Sequence, residues 1–224
     1  MDYQWDFGPL LEYRSMLFDG MLMTVQIFCL SVLLGICIGL VLAMLRMSKR
    51  RISSLPGMVT IEVIRSIPPL VLVVWSYYCL PILTGLALSA YWTCVIALSM
   101  YAGVFFAEIF RAGLQAVDRG QIEAGKALGF SSLKVLLLIS GPQALLRIIP
   151  PFTSQCVMAV KNSVLGSYIA IGELLYQAQR LSVQTFRPLE ILSAVALFFI
   201  VILLPMTFLA GRLEARILRR YFGR

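Results

Sequence analysis

Histidine is absent from the 224-residue chain, and with it goes the commonest metal ligand and general base. Charge is scarce as well. Asp, Glu, Lys and Arg make up 13% of residues, where a soluble domain carries roughly 25%. Acids are the rarer sign, 11 against 19 Lys and Arg, which leaves a formal net charge of +8. The five cysteines (Cys29, Cys37, Cys79, Cys94 and Cys156) form no CxxC pair and all lie in apolar stretches. That pattern fits small buried side chains, not a thiolate metal site or a disulfide framework. These shortages exclude a soluble enzyme, a secreted disulfide scaffold and a disordered tail. What is abundant is apolar surface, at 60% hydrophobic residues and a mean hydropathy of +0.89. Lipid is the solvent for most of this chain. A cleaved leader is not expected, because Asp2, Asp6, Glu12 and Asp19 precede the first apolar run and a signal peptide opens with positive charge.

Uncharged runs mark the membrane spans. Met21 to Leu45 carries no charged residue over 25 positions, enough for a tilted membrane helix. Ser66 to Ala107 carries none over 42, too long for one helix, and Pro81 to Gly85 divides it. Ile148 to Gly172 is apolar except for Lys161 and Asn162, and Ile191 to Gly211 is again uncharged, with Pro205 near its end. The chain is therefore expected to be one all-α membrane domain, 1–224, with spans at about 21–45, 58–80, 88–110, 150–172 and 190–211. Five spans put fourteen basic residues on one side, from Arg46 to Arg51, Arg111 to Arg147 and Arg212 to Arg224. Only Arg14, Arg180 and Arg187 fall on the other. Basic loops stay in the cytoplasm, so the N-terminus is expected outside and the C-terminus inside. Ser31, Gly35, Gly39 and Ala43 repeat every four residues in the first span, a small-residue stripe that lets another helix approach closely.

The longest cytoplasmic segment, about 111–147, has structure of its own. Helix formers from Gln121 to Leu128 stop at Gly129, a C-cap, and Ser131 offers an N-cap to a second short helix expected to end before Gly141-Pro142. Two readings stay open on these grounds: a surface presented to a partner, or amphipathic helices resting on the headgroups. Gly120 to Ala127 reads GxxxxGKA, one residue from a phosphate loop. Ala127 stands where the magnesium-holding Ser or Thr belongs, and no strand precedes it. Any ATP is expected on another chain.

The stretch DRGQIEAGKALGFSSLKVLLLISGPQA resembles the EAA loop of permeases in ATP-binding-cassette importers. Glu123, Ala124 and Gly129 fall on that pattern, followed by Ile139 and Pro142. Gly125 replaces an alanine, Gly141 replaces the leucine before the proline, and Ser140 is one residue extra. The segments VIRSIPPLVLVVWSYYCLP, SMYAGVFFAEIFRAGLQAV and AVKNSVLGSYIAIGELLYQAQ resemble successive spans of the polar amino-acid group of these permeases, most like its glutamate/aspartate-type members. The resemblance covers nearly the whole chain. It implies the type I importer permease fold in the bacterial inner membrane, and a dimer with a second copy or a homologous sister permease. It also implies cytoplasmic ATPase subunits that hold ATP and magnesium, and a periplasmic or lipid-anchored amino-acid-binding protein. No cofactor is expected on this chain. Gly120, Gln121, Glu123, Ala124, Gly125 and Gly129 would form the coupling helix seated on the ATPase.

Few residues are candidates for touching solute. Lys161 lies within the fourth apolar run, where an unaccompanied cation costs about 3 kcal/mol or more, and Asn162 and Ser163 adjoin it. It either receives a substrate carboxylate or bridges to a neighbouring helix. Arg65 sits two turns inside the expected second span, where it either pairs with Glu62 on the same face or lines the pathway with the Pro68-Pro69 break. Glu108 and Arg111 share an i, i+3 relation suited to a structural pair. Glu173, at the outer end of span four, faces either the binding protein or a helix end. Two intramembrane cations without a central acid favour an acidic or amide amino acid over a basic one. An embedded hydrolase would need a nucleophile–base pair or metal ligands, and neither is present. An ATP-independent transporter or channel for a small polar solute is the remaining alternative.

Overall fold

The computed structural model describes residues 3–221. Asp2 and Arg224, which bear on the leader and sidedness arguments, lie outside them, as does the side chain of Arg220. All regular structure among the described residues is helical. Eleven α-helices follow in order: α1 (Gly8–Glu12), α2 (Arg14–Met47), α3 (Arg51–Ser66), α4 (Pro69–Tyr78), α5 (Leu80–Thr84), α6 (Ala90–Gln115), α7 (Arg119–Ala127), α8 (Ser132–Val135), α9 (Gly141–Ser163), α10 (Leu174–Thr185) and α11 (Pro188–Tyr221). A π-turn (Leu136–Ser140) joins α8 to α9, and a 3-10 turn (Val164–Ile169) follows α9. Four helical stretches are long and apolar enough to cross a membrane: Arg14–Met47, Ala90–Gln115, Ser132–Ile169 and Pro188–Ile217. The α3–α4 pair makes a fifth if it is one broken span.

That break falls at Pro68-Pro69, within the stretch expected as the second span. The residue before a proline is driven out of the helical region, and Pro68 is itself followed by Pro69. Pro68 accordingly stands at φ −56° and ψ 137°, and Pro69 restarts the chain as the first residue of α4, the one helical position where a missing N–H costs nothing. Ser66 closes α3 by donating its hydroxyl to the Glu62 carbonyl at 2.7 Å. Gly141-Pro142 does the opposite of what was expected. The Gly141 amide bonds to the Leu136 carbonyl five residues back, a wider turn that carries helix from α8 into α9 without a loop. A Cβ at position 141 would lie 2.5 Å from that same carbonyl oxygen, so the turn requires glycine. Pro150 and Pro151 sit inside α9.

The chain divides into two compact units. One comprises Met1–Leu33, Ile67–Ser99 and Val157–Met206. Its core gathers Ile27, Val73, Cys94, Val95, Leu98 and Ile169. A second cluster sets Leu174, Ala178 and Leu181 of α10 against Ile191 and Val195 of α11. The stretch after residue 172, expected as an outer loop, is thus an amphipathic helix whose apolar positions recur at i, i+4 and i+7. The other unit comprises Leu34–Ser66, Met100–Cys156 and Thr207–Arg224. Here the small-residue stripe of α2 meets α6: a Cβ on Gly39 would lie 2.7 Å from Phe106 Cβ and 3.0 Å from the Gly103 carbonyl oxygen. Phe106 then stacks on Phe152 of α9, ring centroids 4.8 Å apart.

Candidate coupling surface and solute-facing residues

Local chemistry shapes the candidate coupling segment. Asp118 caps α7, its carboxylate accepting from the Gly120 amide at 2.6 Å. Gly129 ends the helix at φ +79°, where a side chain would be strained. The Phe130 amide reaches back to the Gly125 carbonyl at 3.1 Å and the Gly129 amide to Lys126 at 2.9 Å, the paired bonds of a Schellman stop. Ser131 then caps α8 by accepting from the Lys134 amide. The stretch that mimics a phosphate loop, Gly120 to Ala127, is helix throughout.

One side of α7 is turned inward. Gly125 is buried, and a Cβ there would lie 2.4 Å from Ile139 Cδ1 and 3.3 Å from Val135 Cγ2. The glycine in place of the alanine is therefore more than a weak point in the helix: it seats α7 against the α8 and π-turn segment. Gln121 accepts from the Gln143 side-chain amide at 2.5 Å, a second tie to the start of α9. The opposite side presents Gly120, Glu123, Ala124 and Ala127 to solvent, and Leu128 is 75% exposed beside them. Glu123 makes no hydrogen bond or ion pair within the described residues.

The solute-facing candidates fall in both units: Pro68, Lys161, Asn162 and Ser163 in one, Arg65 in the other. Lys161 is exposed, and it occupies the last turn of α9 and not its middle. The α-helical backbone ends two residues later at Ser163, and the 3-10 turn carries the chain on to Ile169. A cation there is favoured by the helix dipole. No carboxylate stands within 4 Å of it among the described residues. Lys161 borders an open groove of about 410 Å³ whose other walls, Val164, Leu175, Leu192, Val195, Phe199 and Leu203 among them, are apolar. Asn162 is half-buried. Ser163 is fully buried and donates to the Val160 carbonyl at 2.7 Å, so its hydroxyl serves its own helix. Arg65 is exposed in the last turn of α3, beside exposed Pro68. Of the two readings of Arg65, the pair with Glu62 is not formed. Glu108 is instead the acid that gathers cations, with Arg111 at 2.6 Å and Arg46 at 3.9 Å.

Two buried acids were not legible as such. Glu173 caps α10, accepting from the Leu175 and Tyr176 amides at 3.0 and 2.8 Å, and the Thr24 hydroxyl lies 3.4 Å away. Burial pushes its carboxyl up to about 7, against the pull of the two amides and the hydroxyl. Glu190, also fully buried, accepts from the Tyr3 hydroxyl at 2.6 Å and the Asp6 amide at 3.1 Å, with Arg187 at 3.3 Å. Arg187 donates onward to the Gln4 carbonyl at 2.7 Å. This clamp fastens the N-terminal segment to α11 and holds Tyr3, Trp5 and Phe7 in an aromatic stack. Glu12 and Asp19, by contrast, are simply exposed.

The family model for the binding-protein-dependent transport system inner membrane component matches residues 35–219. The chain belongs to this family. Similar proteins include the glutamine transport system permease protein GlnP of Escherichia coli (strain K12), 34% identical over 95% of this chain and 98% of its own. The probable glutamine ABC transporter permease protein GlnP of Bacillus subtilis (strain 168) is 33% identical over 92% of this chain and 95% of its own. Among solved structures, the crystal structure of an amino acid ABC transporter with histidines superposes with a TM-score of 0.87 at 31% identity, covering 96% of this chain and all of that one. The protein is a permease of an ABC importer, a transport component and not an enzyme, and its fold is that of the type I importer permeases. As such it works with ATP-binding subunits and a binding protein, which sets aside the ATP-independent alternative.

Proposed function

We propose that the permease carries an acidic or amide amino acid inward across the cytoplasmic membrane, and that separate ATPase subunits drive it through α7. The observation that carries this reading is the two-sidedness of α7. Its exposed side, with Gly120, Glu123 and Ala124, is free for an ATPase groove, while its buried side is fixed to the following helix through Gly125 and Ile139 and through Gln121 and Gln143. Gly129 ends the helix sharply and keeps it a short rigid body. A push on the exposed side would therefore move the start of α9 with it. ATP and magnesium would reside on the partner, together with the hydrolytic chemistry.

Arg65, Pro68, Lys161 and Asn162 are assigned to the solute pathway. Lys161 has no acidic partner among the described residues and is available to a substrate α-carboxylate. The Pro68-Pro69 break leaves backbone groups next to Arg65 outside any helical ladder. Glutamine in the names of the similar permeases supports an amide side chain. The working assembly would contain a second copy or a homologous sister permease, with an amino-acid-binding protein on the outer side. The basic loops support an outside N-terminus and a cytoplasmic C-terminus.

The decisive experiment reconstitutes the complete importer and follows labelled glutamine, glutamate, aspartate and arginine. Glu123→Lys should abolish both uptake and solute-stimulated ATP hydrolysis without lowering the thermal stability of the permease, since Glu123 has no partner among the described residues. Lys161→Ala should depress uptake at limiting solute while leaving basal ATP hydrolysis intact. Full coupling in Glu123→Lys, or a preference for arginine, would refute the assignment.

A further inference from the structure

The last turns of α11 carry charge that no other described residue answers. Arg212, Arg216 and Arg219 stand at i, i+4 and i+7, one face of the helix, where they line an open groove of about 850 Å³ together with Leu209, Leu213 and Ala215. Three guanidiniums elsewhere are paired within the protein: Arg187 sits on Glu190, and Arg111 and Arg46 on Glu108. No carboxylate lies within 4 Å of Arg212, Arg216 or Arg219 among the described residues. Glu214 is two positions from both Arg212 and Arg216, a spacing that turns it to a different face. Arg212 is also held in place, its guanidinium lying 4.2 Å over the Phe208 ring, a cation–π contact.

Depth in the membrane follows from the run that precedes this face. Ile191 to Gly211 is 21 residues without a charge, about 31 Å of helix at 1.5 Å per residue, which is the thickness of the hydrocarbon core. Arg212 and the two turns beyond it therefore emerge at headgroup level. Phosphate is the anion that layer supplies, and the guanidinium fork matches its oxygens two at a time. Leu209 and Leu213, both exposed on the same groove, supply the apolar floor that the upper methylenes of an acyl chain require.

We propose that this arginine face of α11 is a binding site for the phosphate of an anionic phospholipid. The site lies outside α7 and the solute-facing residues, and it depends neither on which solute is carried nor on which leaflet the C-terminal end faces. Each arginine at such a surface is worth about fivefold in affinity for anionic lipid, and clusters of them just beyond a membrane helix select anionic over zwitterionic headgroups.

The test uses the full-length chain purified in detergent, titrated with fluorescent phosphatidylglycerol and, separately, with phosphatidylcholine of the same acyl chains. Phosphatidylglycerol should bind more tightly and lose affinity as salt is raised. The triple variant R212Q/R216Q/R219Q should lose at least about tenfold in phosphatidylglycerol affinity with phosphatidylcholine unchanged. Arg216→Gln alone should lose about fivefold, and it serves if the triple variant does not fold. Removing as much charge elsewhere, in K49Q/R50Q/R51Q, should cost clearly less phosphatidylglycerol affinity than the α11 triple variant. Undiminished binding by the α11 variants, or an equal loss in the control, would overturn the proposal. Uptake is not measured, so the outcome stands apart from the assignment of solute and coupling surface.

Discussion

Two glycines with opposite surroundings allow the α2–α6 contact to be weighed. A Cβ on Gly39 would meet Phe106 Cβ at 2.7 Å, the Gly103 carbonyl oxygen at 3.0 Å and the Ala107 amide nitrogen at 3.2 Å, whereas ordinary contact begins at 3.4 Å. All three neighbours are backbone atoms or bonded directly to backbone, so no rotamer change relieves them. The helices must part by about 0.7 Å, and overpacking of this kind costs about 1–3 kcal/mol. Gly39→Ala also gains helix propensity, up to about 1 kcal/mol, which would blur a single measurement. Gly211, inside α11, has nothing within 4 Å of its Cβ position, so Gly211→Ala collects the propensity gain alone. The difference between the two variants removes that shared part. In reversible unfolding from mixed micelles, Gly39→Ala should prove less stable than Gly211→Ala by about 1–3 kcal/mol. Thermal midpoints should differ in the same order. Equal stability would mean that α2 and α6 do not approach as closely as described, and the packing argument would fail.

The remaining expectations concern the buried acids. The folded-state carboxyl of Glu173 is raised, so between its ordinary value of 4.5 and about 7 the folded protein binds more protons than the unfolded one. Its contribution to stability is therefore fully present below about 4.5, falls as pH rises towards 7, and is flat above that. The chain has no histidine to titrate in the same window. Thermal midpoints measured from pH 4.5 to 8 should decline over that interval, and Glu173→Gln should flatten the decline; an unaltered slope in the variant would contradict the account. Glu190→Ala removes the acceptor for Tyr3, Asp6 and Arg187 together, so amide hydrogen exchange over residues 3–7 should accelerate well beyond that of α11 itself. Protection that persisted there would show that the aromatic stack, and not the clamp, holds the segment.

Features governed by neighbouring residues were legible in the sequence. The stop at Gly129 and the cap at Ser131 depend on chemistry within a turn of the chain, and both stand where they were expected. The stripe of Ser31, Gly35, Gly39 and Ala43 is buried throughout, although its partner could not be read: nothing in α2 points to Gly103 more than 60 positions on. The Pro68-Pro69 break in span two was legible for the same reason, since two consecutive prolines act on the backbone beside them. Hydropathy counts residues and does not register where the α-helix that carries Lys161 tightens into a 3-10 turn. Glu173 and Glu190 look like ordinary flanking charges until their partners are known, and Tyr3 lies 187 positions from Glu190. The helical character of α10 was available in its i, i+4, i+7 pattern but was hidden beneath the polar residues around it.

Pro150 and Pro151 leave α9 with two consecutive rungs missing from its hydrogen-bond ladder, nine and ten residues beyond the wide turn at Gly141. Backbone stiffness along this helix is consequently uneven, with pliant points at its entrance and part-way up and firmer segments on either side. A rod jointed in this way yields at chosen heights and keeps its faces true elsewhere.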